Sequence, residues 1–284
     1  MKNPYQTRQA RIVKITDQAP GVKLFEFSFE VKDFEVSLDH EFSHRPGQFV
    51  ILSLPGFGEA VFAPCNDTKK NLELCIRAVG KLTNKIHTLK IGDRVGIRGP
   101  FGSGWPVNNQ WQKTDNDLPT KKNLLIVVGG LGLVPLRSLL FGKDAFLGKE
   151  ALVQIFYGAK TPTEFIFKND FDQWRKNGID LQLTIDKACP DWNGCVGLVT
   201  VLFDKRNIVP DARVFLCGPP AMYKFVLQKV KEQRIKDEHI YLSLERRMHC
   251  GVGVCQHCAV GSFYTCKHGP VFRYDQIKNV PGAI

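Results

Sequence analysis

The sequence predicts two successive folds, an antiparallel β-barrel and then a doubly wound parallel α/β sheet, with a small cysteine-rich region at the C-terminal end. Short alternating segments, separated by Gly and Pro turns, occupy residues 1–106, and this spacing is typical of antiparallel barrels or sandwiches. Longer apolar runs alternate with helical stretches over residues 123–240, and this alternation is typical of a parallel sheet. The closely spaced cysteines of residues 241–284 form a third pattern.

The first region contains the predicted strands of the barrel, RIVKITDQ, VKLFEFSFE, QFVILSLPG, LELCIRAVG and DRVGIRGPFG. One helix interrupts them over residues 83–89, with Thr83 as its predicted N-cap. A strand that ends at Gly80 and leads into a helix offers free amide groups to a phosphate, although most short capped helices bind nothing. The polar residues 107–122 that follow have no apolar periodicity and are predicted to be a linker.

The second region begins with NLLIVVGG, a continuous apolar run of the kind that forms a strand buried on both faces. LVPLRSLLF after it has helical spacing, and ALVQIFYGAK, DLQLTID and ARVFLCGPP are further predicted strands. GGLGLVP is not the usual G-x-G-x-x-G dinucleotide motif. One glycine turn after a strand is weak evidence for a nucleotide site. Three such strand ends in succession, GGLG, YGAK and CGPP, favour a ligand at the carboxyl edge of the sheet.

The cysteine-rich region has the spacing C-x4-C-x2-C-x7-C, formed by Cys250, Cys255, Cys258 and Cys266. Plant-type 2Fe-2S proteins use C-x4-C-x2-C with a more distant fourth cysteine. Gly251 and Gly253 stand where a backbone folded around a cluster needs positive φ. The alternatives are a zinc site, which usually takes two C-x2-C pairs, and a disulfide, which is typical of secreted proteins. His249, His257 and His268 are interpreted as neighbours of the ligands rather than as ligands.

The composition limits the classes of protein that fit. The net charge is +11, but Lys and Arg are scattered along the chain, which disfavours nucleic-acid binding. A basic surface suits an anionic dinucleotide or an acidic partner subunit equally well. The longest apolar run, from Leu124 to Leu136, is too short for a bilayer span. Nine cysteines, with no predicted signal peptide, favour a reducing, cytoplasmic location.

The order of a small barrel, GGLGLVPLRSLL, YGAKTPTE, FLCGPPAMY and a C-terminal cluster loop resembles the ferredoxin-NADP reductase superfamily. Within it, the chain is similar to the gamma (diaphorase) subunits of soluble nickel-iron hydrogenases, also called sulfhydrogenases, and to the B subunit of anaerobic sulfite reductase. The electron-transfer subunit of dihydroorotate dehydrogenase is a more distant relative. The seven-residue gap before Cys266 is closer to the first two. The resemblance covers nearly the whole chain.

The resemblance implies an FAD in the barrel and NAD(P)H on the sheet. The expected FAD contacts are Ala63, Pro64, Cys65, Asn66, Ile76, Arg77, Ala78, Leu82 and Thr83. The expected nicotinamide cofactor contacts are Gly129, Gly130, Leu131, Gly132, Tyr157, Gly158, Lys160, Asp186, Cys217, Gly218 and Pro219. FAPCND departs from relatives, where hydroxyl residues are common, so Cys65 is either close to the flavin or an ordinary buried thiol. Lys160 either pairs with a 2′-phosphate, which would favour NADP, or is solvated.

The function implied is transfer of electrons from NAD(P)H through FAD and a 2Fe-2S cluster to a partner redox subunit, or in reverse, without a protein acid or base. The expected partners are an iron-sulfur beta subunit and the catalytic subunits of a hydrogenase or a sulfite reductase; nucleic acid and membrane are not expected. A stand-alone monooxygenase reductase fits less well, because few residues follow the sheet. The alternative of another class is a binding or regulatory module that has lost rapid hydride exchange.

Overall fold

The computed structural model describes residues 3–29, 42–66, 71–107 and 123–284, and the chain in it forms two compact units. Unit 1 consists of Met1–Trp105, Val134–Phe141 and Glu245–Val271, and unit 2 of Pro106–Leu133, Gly142–Leu244 and Phe272–Ile284. The cysteine-rich segment is therefore grouped with the barrel, whereas the last residues are grouped with the sheet. Of the predicted linker only Val107 lies within the described residues, and the predicted domain bounds stay a prediction.

Unit 1 is built on a six-stranded sheet with the order β4-β3-β6-β1-β2-β5, in which all neighbours run antiparallel. An antiparallel bridge between Pro64 and Leu74 joins the two edges, so the sheet closes as the predicted barrel. Its strands are β1 (Arg8–Ala19), β2 (Val22–Phe29), β3 (Phe49–Leu54), β4 (Gly58–Phe62), β5 (Leu72–Arg77) and β6 (Arg94–Phe101).

Strand β3 is buried on both faces, which explains its continuous apolar sequence. Successive side chains of a strand point to opposite faces. Val50 and Leu52 therefore belong to the barrel core, while Phe49 and Ile51 pack against residues of the cysteine-rich segment. The barrel thus presents a second apolar surface on its outside.

The predicted helix of this unit begins earlier than the sequence suggested. Helix α1 spans Lys81–Ile86 with Gly80 as its N-cap, so the prediction of Thr83 as the N-cap was wrong. Thr83 caps the helix from its third position instead, because its Oγ1 accepts hydrogen bonds from the Val79 and Gly80 amides at 3.0 and 2.9 Å. A capping hydroxyl can act from either position, and the sequence does not distinguish them.

Unit 2 contains a seven-stranded sheet with the order β10-β9-β8-β7-β11-β12-β15. The pairs from β10 to β12 are all parallel, as predicted, and the order reverses at β7. Its strands are β7 (Leu124–Gly129), β8 (Val153–Ala159), β9 (Ile179–Ile185), β10 (Cys195–Val196), β11 (Arg213–Cys217), β12 (Ile240–Ser243) and β15 (Val271–Arg273). Ligands of such sheets bind beyond the carboxyl ends of the strands at the reversal point.

The helices that follow the strands are short apart from α6. They are α2 (Val134–Phe141), α3 (Lys143–Leu147), α4 (Phe171–Lys176), α5 (Val201–Lys205), α6 (Pro220–Glu232), α7 (Thr265–His268) and α8 (Tyr274–Ile277). The cysteine-rich segment adds a small hairpin of β13 (Ala259–Val260) and β14 (Phe263–Tyr264). Within the described ranges, no helix combines the length and the apolar character needed to cross a membrane.

Candidate cluster and cofactor sites

The four predicted cluster ligands come together in two pairs within unit 1. Hydrogen bonding links Cys250 to Cys255 and Cys258 to Cys266. A 2Fe-2S cluster is held by four thiolates shared between two irons, so two pairs fit it. Among the described residues, no group of three or more His, Cys, Asp or Glu side chains is arranged to hold a metal ion.

The backbone between the first two ligands wraps around the sulfur atoms. The Val252 and Val254 amides each donate to Cys250 Sγ at 3.4 Å, and the Gly253 amide donates to Cys266 Sγ at 3.1 Å. Gly251 and Gly253 both have φ of 80°, a region that favours glycine. The prediction of positive φ at these two glycines is confirmed. Such amide donors stabilise thiolate ligands and tune the potential of a cluster.

The surroundings shift the pKa values of two of the predicted ligands, Cys250 and Cys266, in opposite directions. Burial by itself would raise the pKa of Cys250, but hydrogen bonds from Cys255, Val252 and Val254 outweigh burial and lower this pKa to about 6. Burial, with the hydrogen bond to Cys258, raises the pKa of Cys266 to about 12. Because the thiolate is the form that binds metal, the structure holds the Cys250 thiol closer to that form than the Cys266 thiol.

The cluster segment lies against the outside of the barrel. Cys258 and Cys266 form a buried group with Phe49 and Ile51, the outward-facing residues of β3. A Cβ on Gly251 would lie 3.0 Å from the Phe101 ring, so glycine also permits close packing at this point. The segment that carries the predicted cluster ligands is therefore packed into unit 1 with the barrel.

The predicted flavin segment is mostly enclosed by protein. Pro64, Cys65 and Asn66 are buried and only Ala63 is partly exposed. Burial raises the pKa of the Cys65 thiol well above its usual range, and Cys65 Sγ donates to the Glu73 carbonyl at 3.4 Å. Asn66 Oδ1 accepts from the Glu73 amide at 3.2 Å. These side chains hold the barrel together, and their predicted flavin contact stays a prediction.

The other predicted flavin residues surround the start of α1. Ile76 and Leu82 are buried, whereas Arg77, Ala78 and Thr83 are partly exposed. The first turn of α1 has no acidic residue, and its amides precede the first intrahelical hydrogen bond, which runs from Asn84 to Gly80. A helix start of this kind attracts a phosphate group. The residues present fit the pyrophosphate of a dinucleotide such as FAD.

The predicted nicotinamide turn lies where the sheet order reverses. Gly129 ends β7, and Gly130, Leu131 and Gly132 form a single 3-10 turn before α2. A Cβ on Gly132 would lie 2.0 Å from the Cys217 carbonyl oxygen, so only glycine fits between the two strand ends. Cys217, Gly218 and Pro219 then lead into α6, whose first turn also lacks an acidic residue. Both turns therefore suit an anionic dinucleotide.

The remaining predicted residues lie at the carboxyl ends of the neighbouring strands. Tyr157 is buried, and its hydroxyl donates to the Gly130 carbonyl at 3.2 Å, so β8 supports the glycine turn. A Cβ on Gly158 would lie 3.1 Å from the Val199 Cβ, which leaves little space for a side chain. Lys160 and Asp186 are exposed beyond the ends of β8 and β9. The residues predicted to contact the nicotinamide cofactor therefore lie together along the carboxyl edge of this sheet.

Sequence reasoning missed charged residues within unit 1. Arg137 donates to the Cys65 carbonyl at 3.1 Å and pairs with Glu73 at 2.5 Å, which fixes α2 to the predicted flavin segment. Arg98 and Glu59 form a second pair beside the cluster ligands. In both cases the sequence offers one signal of a buried ion pair, an arginine within a largely apolar element: Arg98 in β6 and Arg137 in α2. No disulfide joins any of the nine cysteines, all of which lie within the described residues.

Comparison with known protein families covers nearly the whole chain. Residues 12–104 match the oxidoreductase FAD-binding domain, residues 126–228 the oxidoreductase NAD-binding domain, and residues 245–278 the iron-sulfur cluster binding domain of dihydroorotate dehydrogenase B. The cofactors expected from the resemblance, FAD, a nicotinamide cofactor and an iron-sulfur cluster, are thereby confirmed.

Individual relatives agree with this assignment. Sulfhydrogenase 2 subunit gamma of Pyrococcus furiosus is 36% identical over 302 residues, covering 99% of this chain and 100% of the relative. A probable dihydroorotate dehydrogenase B electron transfer subunit of the same organism is 32% identical, covering 90% and 89%. A chain in the structure of NADH-dependent reduced ferredoxin-NADP oxidoreductase has a TM-score of 0.71 at 25% identity, covering 98% and 93%.

The three family matches follow one another along this chain and the relatives align over most of it, which confirms the resemblance to the reductase superfamily. The relatives are themselves subunits of larger redox enzymes. This chain belongs to the family of FAD-, NAD- and iron-sulfur-binding oxidoreductase subunits that includes the sulfhydrogenase gamma subunits and the electron transfer subunits of dihydroorotate dehydrogenase B.

Proposed function

We propose that this chain is the diaphorase subunit of a nickel-iron hydrogenase and moves electrons between NAD(P)H and a partner redox subunit. The observation that carries the proposal is the packing of the cluster ligands on the barrel in unit 1. A flavin site and a cluster site on one folded unit keep a fixed separation. Electron transfer between two bound groups depends on such positioning by the protein.

Each group has a proposed set of residues. Cys250, Cys255, Cys258 and Cys266 hold the cluster, the start of α1 with Arg77 holds the FAD pyrophosphate, and the turns at Gly129–Gly132 and Cys217–Pro219 hold NAD(P)H. A flavin, when bound, accepts a hydride and releases single electrons, which matches a two-electron donor to a one-electron cluster. The chain supplies binding, orientation and a dry environment for this chemistry. None of its side chains is assigned as an acid or a base.

The surface of the cluster segment supports docking of a partner. Val254, between the first two ligands, is 69% exposed, and Arg247 and Lys267 are exposed nearby in the sequence. An exposed apolar residue flanked by positive charge suits a partner with an acidic rim around its own redox centre. The proposed partners are the iron-sulfur and catalytic subunits of the hydrogenase, in the cytoplasm, where thiolate ligands stay reduced.

Full-length similarity to a sulfhydrogenase gamma subunit favours the hydrogenase, with anaerobic sulfite reductase and dihydroorotate dehydrogenase as the alternative complexes. Anaerobic native purification followed by metal and flavin analysis tests this choice. Nickel with iron and FAD in the complex would support the hydrogenase, whereas siroheme without nickel would support sulfite reductase. Rapid NAD(P)H turnover with a soluble dye is expected, and its absence in an FAD-loaded chain would favour a regulatory module instead.

Replacing Lys160 tests the preference for NADPH. If the exposed Lys160 ammonium pairs with a 2′-phosphate, Lys160→Ala is expected to raise the KM for NADPH by about tenfold, in line with loss of one charge-assisted contact. The KM for NADH should change little. Lys187→Ala, which removes a charge from an exposed lysine just beyond β9, serves as the control. Equal effects on the two cofactors would contradict the assignment.

A further inference from the structure

Arg98 is a charged side chain buried where the barrel meets the cluster segment. It lies on β6, and its side chain is only 7% exposed. Its guanidinium donates to the Cys250 carbonyl at 2.7 Å and also to the His249 carbonyl. It forms an ion pair with Glu59 on β4 at 2.7 Å. Three acceptors from two separate parts of unit 1 therefore converge on one side chain.

The strand order explains why this arginine faces the cluster segment. Strands β4 and β6 flank β3 in the sheet, and Ile97, the residue before Arg98, belongs to the barrel core. Because side chains alternate along a strand, Arg98 points outward, to the side of the sheet where the cluster ligands pack. There its guanidinium contacts the backbone of Cys250, the first ligand. An ammonium group could not reproduce these directed, planar contacts, since only guanidinium has a fixed fork of donors.

The burial of the pair is uneven. Glu59 is 38% exposed, against 7% for Arg98, so water screens the carboxylate more than it screens the guanidinium. Charges that are buried act over longer distances than exposed ones. The surroundings of Cys250 therefore experience a net positive field from the pair. A cluster gains one negative charge when it is reduced, and a positive field stabilises that reduced form.

We propose that Arg98 is a positioning residue that fixes the backbone of the first cluster ligand and raises the reduction potential of the cluster, with Glu59 moderating its charge. This inference rests on the proposed function only insofar as the four cysteines hold a 2Fe-2S cluster. It assigns separate contributions to two residues that are not ligands. The two contributions have opposite signs, because one residue carries a positive and the other a negative charge.

The test is an EPR-monitored redox titration of the FAD- and cluster-loaded chain. Arg98→Gln removes the positive charge and is expected to shift the equilibrium toward the oxidised cluster about tenfold, equivalent to about 59 mV downward for a one-electron couple. Glu59→Gln is expected to shift the potential upward by a smaller amount. Arg98→Lys keeps the charge, so it should hold a potential near the wild-type value while the cluster is lost more readily on dilution. Arg94→Gln, an exposed position on the same strand, should change neither property.

Opposite shifts in Arg98→Gln and Glu59→Gln support the assignment, and equal potentials or shifts of the same sign overturn it. If Arg98→Gln fails to retain a cluster, Glu59→Gln decides, because it leaves the Arg98 contacts to the backbone in place: an upward shift supports and no shift overturns. Turnover of NAD(P)H with a soluble dye shows separately whether the flavin and nicotinamide sites of each variant still work. A wild-type chain that binds no cluster would overturn the proposed function as well. A wild-type chain that binds a normal cluster, with the same reduction potential in both variants, would overturn this inference alone.

Discussion

A Cys255→Ser chain is expected to lose its cluster completely and to keep most of its NAD(P)H-dependent reduction of a soluble dye. Serine is a poor ligand for iron, and Cys255 is one of the four proposed cluster ligands, hydrogen-bonded to Cys250. Cys255 is also the suitable choice structurally, since it is not part of the buried group that Cys258 and Cys266 form with Phe49 and Ile51. Its replacement should leave the barrel intact.

Iron and sulfide analysis, the EPR signal of the reduced cluster and the dye assay together measure this result. Cys189→Ser provides a matched control, because Cys189 is also half-buried and free but lies in unit 2; it should retain both the cluster and the dye activity. Loss of both properties in Cys255→Ser would mean that the cluster is required for folding, or that the proposed order of electron carriers is wrong. A chain that retains full iron would remove Cys255 from the ligand set.

A Gly132→Ala chain is expected to bind NAD(P)H much more weakly and to unfold more easily. The added Cβ would lie 2.0 Å from the Cys217 carbonyl oxygen, so the turn after β7 must move away from the end of β11. Overpacking against a backbone atom costs about 2–3 kcal/mol in the free energy of unfolding. The proposed role of the turn is to present its amides to the cofactor, so its displacement should raise the KM for NAD(P)H at least tenfold.

Gly178→Ala separates this clash from the general effect of adding a methyl group. Gly178 has φ of 76° with open space around it, so alanine there costs about 1 kcal/mol through backbone strain alone. Thermal unfolding and steady-state kinetics are measured on both variants. Unchanged KM values in Gly132→Ala, together with wild-type stability, would contradict the role given to the turn.

The architecture of this chain was predictable because its main features are local in sequence. Alternating strands, the continuous apolar run before Gly129 and the spacing of the cysteines each report on one short segment. The structure confirms the barrel, the parallel sheet and the positive φ of Gly251 and Gly253. The barrel also contains β4, which was not among the predicted strands, since Gly58–Phe62 is short and only partly buried.

Features that depend on distant residues were not predictable in the same way. Arg98 contacts the Cys250 carbonyl across 152 positions of sequence, and no short pattern encodes that pairing. β12 was also missed, because IYLS has only four residues. The edge strand β15, which follows the cysteine-rich segment, has only three residues, VFR, and is too short to predict from sequence.

Anaerobic reduction of the FAD-loaded, cluster-loaded chain by NAD(P)H is the most direct test of the account. The reduced-cluster EPR signal is expected to develop on addition of NADPH or NADH alone, in wild-type protein that contains two irons and one FAD per chain, and to be absent from Cys255→Ser. A wild-type chain that contains zinc and no flavin, or one whose cluster responds to dithionite but to neither nicotinamide cofactor, would contradict the assignment of this chain as an electron-transfer subunit.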